Sequence, residues 1–317
     1  MENFFFTQCA SVLFDRAPAL EDVEQALEAW TIAGEQQPAP GEDGWIACGP
    51  GIVIELRTGA AVIVDVIDRP WPDDPRGASE SATLGAAWRA GIFGPSSSPG
   101  ALARARMQSW AWNEGAAAAE RHGGFVRLRT VVNLSAEGKR ELPKDHDPVH
   151  ELTIITEIAA ALLKLPGAAA LFLPGGEALR SLEQVEEVLR RKTGIGPPAL
   201  DLWVNLRGFG LGEHGGTRWM VVDVVGMRQL RFPDQEAIFA EGQEEPEAVG
   251  PLLMNACFRL VTGKPIPEGS TSDDGRGRRW RASATTGVLA PDRPVLRWLP
   301  EESAKPSEEM LAKGRAR

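Results

Sequence analysis

Several clusters in this chain have the residue types that chemistry needs, and spacing decides which of them could use it. His146 and His150, in DHDPVH, stand four apart, the interval at which two imidazoles share a helix face and hold a metal. Both would have to lie inside the helix. Asp147-Pro148 instead reads as a helix start, with Asp at the N-cap and Pro where its missing N–H is not needed. His146 then falls outside, no third ligand is evident, and the pair reads as capping-loop histidines. GFGLGEHGG (208–216) has the glycines of a phosphate loop. It lies between two strand candidates with no Lys-Ser/Thr after it, so it reads as a hairpin loop. Pro174-Gly175-Gly176 follows a strand candidate and precedes a helix candidate, the context of an anion nest, although an ordinary turn is the simpler reading. The serines of GPSSSPG (94–100) lie in a breaker, and no G-x-S-x-G elbow is present. A triad scattered along the chain would leave no such pattern.

Charged and aromatic residues point to surfaces more than to a reaction centre. Asp73-Asp74, Glu241–Glu247 and Asp273-Asp274 are acidic clusters in Pro/Gly-rich loops, where charge is ordinarily solvated. The run RGRRWR sets Arg276, Arg278, Arg279 and Arg281 around Trp280, a combination that grips phosphate, stacks on a base or meets a protein partner. With 44 acidic residues against 34 basic the net charge is −10, which counts against nucleic acid. The chain has 10 Trp and no Tyr. Trp45, Trp71, Trp110, Trp112 and Trp280 stand where burial is not assured, and an exposed Trp is a typical interface anchor. Three cysteines form no CxxC pair. Cys9 and Cys257 sit in apolar runs and read as buried thiols of a reducing compartment.

The elements that must position these residues follow from periodicity. Residues 4–14 read as a strand, and Leu20, Val23, Leu27 and Trp30 recur at helical spacing across 19–33. GEQQPAPGEDG (34–44) reads as a loop. GIVIEL (51–56) and AAVIVDVI (60–67) flank a Gly-containing turn as a hairpin. Two Ala-rich helical stretches, 79–91 and 99–121, and a strand at 125–134 complete a β-α-β-β-α-β order, the ferredoxin-like split βαβ pattern. After the polar connector 135–148 come a helix at 148–164, a strand at 168–173 and a helix at 181–192. Strands at 200–207, 217–225 and 234–240 and a helix at 247–262 follow. The expected fold is α+β, with two ferredoxin-like lobes, mainly antiparallel sheets and an imperfect duplication. Its boundaries are an N-terminal lobe over 1–140, a C-terminal lobe over 147–300 and a charged tail over 301–317. MENFFFTQCASVLFDR has no basic residues ahead of its apolar stretch and no small-residue cleavage site. No run approaches the roughly 18 apolar residues of a membrane span. The expected compartment is the cytoplasm.

The order of these features resembles a bacterial domain-of-unknown-function family, number 4261. The resemblance is carried by FTQCASVLF, VIVDVIDRPWPD, HGGFVRLRTVV, LTIITEIAAALLKLPGAAALFLPGGEAL, LDLWVNL, TRWMVVDVVGMRQLRFPDQEAIF and VTGKPIPEGST. Trp203, Thr217, Gly226, Glu236 and Gly269 fall at the family's patterned positions. The chain departs from the pattern at LFLP, where an aromatic pair is usual, and in the long segment 73–121. The family has no agreed activity, and its members are associated with secretion and toxin systems.

The expectation is a non-enzymatic interaction protein, an immunity or inhibitor protein that binds a bacterial toxin or effector, with no cofactor, no metal and no catalytic residue assigned. Its expected partner-binding residues are Trp71, Asp73, Asp74, Arg278, Arg279 and Trp280. One alternative is a hydrolase with a scattered site in a cleft between the lobes, drawing on Trp203, His214, Thr217, Arg218 and Glu236. Another is an adaptor or structural subunit of a secretion system.

Overall fold

A computed structural model describes residues 6–56, 60–73, 81–132, 146–191, 197–302 and 305–314. The chain divides into two compact units, Met1–Trp203 and Val204–Arg317.

Unit 1 runs β1 (Phe6–Phe14), α1 (Leu20–Ala26), β2 (Ile32–Gln36), α2 (Gly44–Ala47), β3 (Gly51–Glu55) and β4 (Ala60–Ile67). Then come α3 (Ser81–Arg89), α4 (Ala101–Met107), α5 (Gly115–Glu120), β5 (Gly124–Val132) and α6 (Pro148–Leu162). It ends with β6 (Ala168–Leu173), β7 (Ala178–Arg180), α7 (Leu182–Arg191) and α8 (Leu200–Trp203). The strands form one seven-stranded sheet in the order β2-β3-β4-β5-β1-β6-β7, and every neighbouring pair is antiparallel. In a ferredoxin-like sheet the first strand lies between the second hairpin strand and the last, whereas here β5 separates β4 from β1, so the ferredoxin-like order is not formed. Nor does the boundary fall at 140–147, because β6 pairs with β1 and keeps the chain in unit 1 through Trp203.

Both faces of this sheet are covered. Glu151 of α6 reaches Thr7, whose hydroxyl meets that of Thr130, so α6 lies over the face carrying Val126, Leu128 and Thr130. The helix starts as its sequence dictates: the Asp147 carboxylate accepts from the Val149 and His150 N–H groups, and Pro148 takes the first position. On the opposite face Leu13, Ile67, Phe125, Ala170, Phe172 and Leu179 pack under residues of α2 through α5, with Trp71 at the centre.

Unit 2 comprises β8 (Asn205–His214), β9 (Thr217–Val225), β10 (Asp234–Ala240), α9 (Pro246–Val261), β11 (Thr271–Asp273), β12 (Arg279–Thr286), β13 (Pro294–Pro300) and α10 (Glu308–Gly314). Its six strands run β11-β12-β13-β10-β9-β8, antiparallel except for β10 and β13. That parallel pair, joined through α9, is a crossover without a counterpart in the first sheet, so the two units do not repeat one topology. Met310 and Leu311 of α10 enter a cluster with Trp219, Val221 and Ile238. The charged tail is thus partly docked, because two apolar residues one helical step apart find a core.

Local misreadings have local causes. LDLW forms α8 rather than the start of a strand, and β2 occupies residues placed in a helix and a loop. GFGLGEH belongs to β8 itself, and only Gly215 and Gly216 turn, at φ 62° and 75°, values that suit a two-residue hairpin. Pro174-Gly176 joins β6 to β7 and leads into no helix, so no helical N–H groups face it. The strands β12 and β13 went unanticipated.

Candidate functional site

Of the expected partner residues, the structure withdraws both tryptophans. Trp71 is 4% exposed, edge-on to Phe172 at 5.1 Å, Phe125 at 5.3 Å and Phe93 at 5.5 Å. Its backbone N–H donates to His122 Nε2 at 2.8 Å, which fixes the tautomer: Nδ1 carries the proton and faces the Ala119 carbonyl. Burial lowers the His122 pKa, in keeping with a neutral ring. Trp280 is fully buried against Phe239, with Nε1 turned to Asp274 at 3.4 Å. Asp73 closes the N-terminus of α4 from elsewhere in the chain, accepting from Leu102 N at 2.8 Å and Ala103 N at 2.6 Å. Asp74 lies outside the described residues. Arg278 pairs with Glu244, and Arg279 and Arg281 with Glu301, so the basic run is bridged along the surface.

Of the residues assigned to a scattered hydrolytic site, Glu236 lies apart from His214, Thr217 and Arg218 within unit 2. Trp203 belongs to unit 1, where its indole donates to Thr156 Oγ1 at 3.0 Å. His214 and Thr217 face each other across the β8–β9 turn, and Arg218 pairs with Glu241 at 3.2 Å on the surface. Glu236 is buried in mid-strand, held by Arg297 Nε at 2.7 Å and the Val288 N–H at 2.8 Å. The histidine pair fares the same way: His146 Nε2 lies 3.0 Å from Glu151 Oε2, while His150 is exposed. Among the described residues no group of three or more His, Cys, Asp or Glu could hold a metal.

What the fold does gather is buried charge. In unit 1 the alternation of β4 and β5 puts Asp65, Arg127 and Arg129 on one face, all fully buried, with Asp65 directly opposite Arg127. Asp65 takes Arg127 Nη2 at 2.5 Å and Nε at 3.3 Å, Arg129 Nη2 at 3.3 Å, and the Gly49 N–H at 3.0 Å. Glycine is needed there, since a Cβ on residue 49 would come within 2.4 Å of the Val66 carbonyl oxygen. Burial pushes the Asp65 carboxyl up, and the two guanidiniums outweigh it, so its pKa is held below the usual carboxylate value. Arg127 also donates to the Ile46 carbonyl at 3.0 Å and to those of Trp45 and Ala47, which orients α2 over the sheet. Arg129 is less well served: Phe6 lies 4.1 Å from its Cζ, and Nε and Nη1 have no acceptor among the described residues.

Unit 2 has a longer row. Arg207, Asp223, Glu236 and Arg297 stand opposite one another across β8, β9, β10 and β13. Arg207 clasps Asp223 at 2.6 and 2.9 Å, and Arg293 ties Asp223 to Asp234, reaching the latter at 2.7 Å. Asp234 also accepts the N–H groups of Gly226 and Met227, closing the 3₁₀ turn between β9 and β10.

The surface offers one feature of a different kind. All ten tryptophans are described, and Trp110 alone is exposed, at 52%, with Met107 three residues earlier at 70%. The turn between α4 and α5 that carries Trp110 is braced. Gln184 Nε2 donates to the Ala111 carbonyl at 2.6 Å, and Gly115 packs so close to the Trp112 ring that a Cβ would lie 2.9 Å from it. Arg106 and Glu120, paired at 3.0 Å, complete the local charge.

Fold and surface together define an α+β protein of two units with charge locked inside both sheets and an aromatic knob on the first. No family model, no curated protein and no solved structure matches the chain. No helix among the described residues is long and apolar enough to cross a membrane.

Proposed function

We propose that this chain is a non-enzymatic interaction protein of the immunity or inhibitor type, and that it grips a toxin or effector through the Met107–Trp110 turn. One observation carries the reading: a tryptophan and a methionine left in solvent on a braced turn. Burying the two side chains would be worth roughly 1.5–3 kcal/mol each, which the isolated chain forgoes. Trp is enriched at binding hot spots, and a turn held by Gln184 and Gly115 loses little entropy when it docks. The net charge of −10 suits a basic partner, which it would steer. The resemblance to family 4261, and the secretion and toxin setting of that family, belong to the same proposal. Within unit 2, Glu236 lies in mid-strand away from the turn that carries His214, Thr217 and Arg218, which favours the interaction reading over the hydrolase alternative.

The test is affinity capture from the native host with the full chain, alongside Trp110→Ala and the surface control Arg276→Ala. A single protein held by the wild type and the control, and lost tenfold or more by Trp110→Ala, is the expected result. Equal retention by all three would remove the turn from the interface. Retention of no specific protein by the wild type would overturn the functional reading itself.

A further inference from the structure

Among the described residues, the charge on the inner face of the first sheet does not balance. Arg127 and Arg129 are both fully buried, and Asp65 is the one carboxylate that pairs with either among the described residues. Asp65 gives its short contact to Arg127 and reaches Arg129 only at 3.3 Å. Arg129 thus keeps two nitrogens, Nε and Nη1, without an acceptor, in a place that water does not reach from bulk. A buried guanidinium left half-bonded is among the most unfavourable things a core can contain, and a native fold resolves it with an anion, a bound water or a second acid.

The neighbours narrow the choice. Phe6 covers the guanidinium 4.1 Å from Cζ and Asp65 takes Nη2, so the open N–H groups are those of Nε and Nη1, on different sides of the guanidinium. Cys9 is the strand partner of Arg129, but burial pushes its thiol up to about 12, so it supplies no negative charge at neutral pH. Arg129 itself is lowered by burial, and then by Arg127, to about 10, and so remains a cation. Ser11, one pair further along the same face and opposite Arg127, carries a second buried group with no partner, its hydroxyl.

We propose that Arg129 is the centre of a buried binding site for a small monovalent anion of the halide class, with chloride the natural occupant. Two guanidiniums against one carboxylate leave a single positive charge, which one monovalent anion neutralises. Arg129 is wholly out of solvent, so an occupant must be small. Nε or Nη1 of Arg129, which point to different sides of the guanidinium, would be the primary donor, and the Ser11 hydroxyl is a further unpartnered group on that face. The ion would act structurally, pinning β1 to β5 beneath Phe6.

The experiment is thermal unfolding of the full chain in a titration of sodium chloride against sodium isethionate at constant ionic strength. Wild type should show a saturable rise of a few degrees in midpoint with chloride. Arg129→Met should lose that response, whereas Arg276→Met, on the exposed β11–β12 loop, should keep it. Equal midpoints of wild type in the two salts, or an undiminished response in Arg129→Met, would overturn the site. Should Arg129→Met fail to fold, crystals of wild type grown in bromide decide the matter. An anomalous peak within hydrogen-bonding distance of Arg129 Nε or Nη1 supports the proposal, and its absence, or an ordered water in that place, sinks it.

Discussion

In the second sheet Arg207, Arg293 and Arg297 meet Asp223, Asp234 and Glu236, three cations against three anions; in the first, among the described residues, Arg127 and Arg129 meet Asp65 alone. Apart from Arg293, which directly precedes β13, both sets sit on strands, and all these side chains are buried. Saturation separates them. In unit 2 each carboxylate has a guanidinium at 2.7 Å or closer, and Asp234 and Glu236 also take backbone N–H groups. Such a row holds strands in register and needs nothing added. In unit 1 the surplus cation has open donors, and an open donor in a core is a reason to look for a ligand. Buried charge alone therefore marks no site; imbalance does.

The sharpest way to break this contrast is to unbalance the balanced row. Arg293→Met leaves Asp223 short of a partner and Asp234 with no guanidinium, and should destabilise the chain by about 3–5 kcal/mol in chemical denaturation. Arg129→Met removes the surplus charge from the other sheet and should change stability by no more than about 1 kcal/mol in chloride-free buffer. Equal losses from the two substitutions would show that both rows are structural in the same sense, and the distinction would fall.

Acid should separate the units as well, with a smaller effect. Asp65 and Asp223 have folded pKa values below the usual one. Burial raises both, but the surrounding arginines outweigh it. Their stabilisation is present above the unfolded value, about 3.9, and is lost as pH falls below it toward the folded value. Asp234 and Glu236 are raised, by burial that Arg293 and Arg297 do not fully offset. These two bind protons in the folded state first, so on acidification from neutral they add stability to unit 2 until the pH reaches about 4. Hydrogen exchange, corrected for its intrinsic pH dependence, should show protection in β10 rising over that window while β4 and β5 stay level. A parallel response in both sheets would contradict the assignment.

Much of the backbone was legible because it rests on local signals. Asp147-Pro148 announced α6, and the alternation in VIVDVI, FVRLRTVV and TRWMVVDVV announced β4, β5 and β9. The charged rows were not, although the same alternation contained them. A polar residue at every second position ordinarily marks a solvent face, and here α2 to α5 cover that face, the last three from the long segment 73–121 in which the chain departs from the family pattern. Pairing was equally hidden: Glu236 meets Arg297 across 61 residues, and β6 returns to β1 across the whole of the intervening chain. The tryptophans show the same limit. Trp71, Trp110 and Trp280 look alike in sequence, between loops and helix ends, and only tertiary packing buries two and leaves the third in solvent.

That third tryptophan gives the smallest effect on the fold and the plainest division of roles. If the charged faces hold the chain together and the Met107–Trp110 turn does the binding, the turn should be expendable for stability. Trp110 is half in water, and the brace on its loop comes from the Ala111 carbonyl, Gln184, Gly115 and Trp112, none of which depends on the indole. Trp110→Ala should therefore leave the denaturation midpoint within about 0.5 kcal/mol of wild type, the range of ordinary surface substitutions. Trp71→Ala, by contrast, empties the middle of the aromatic cluster and should lose about 3–5 kcal/mol. A Trp110→Ala loss approaching that of Trp71→Ala would mean that the exposed ring supports the α4–α5 turn, and the turn would then be part of the scaffold instead of the surface that a partner reads.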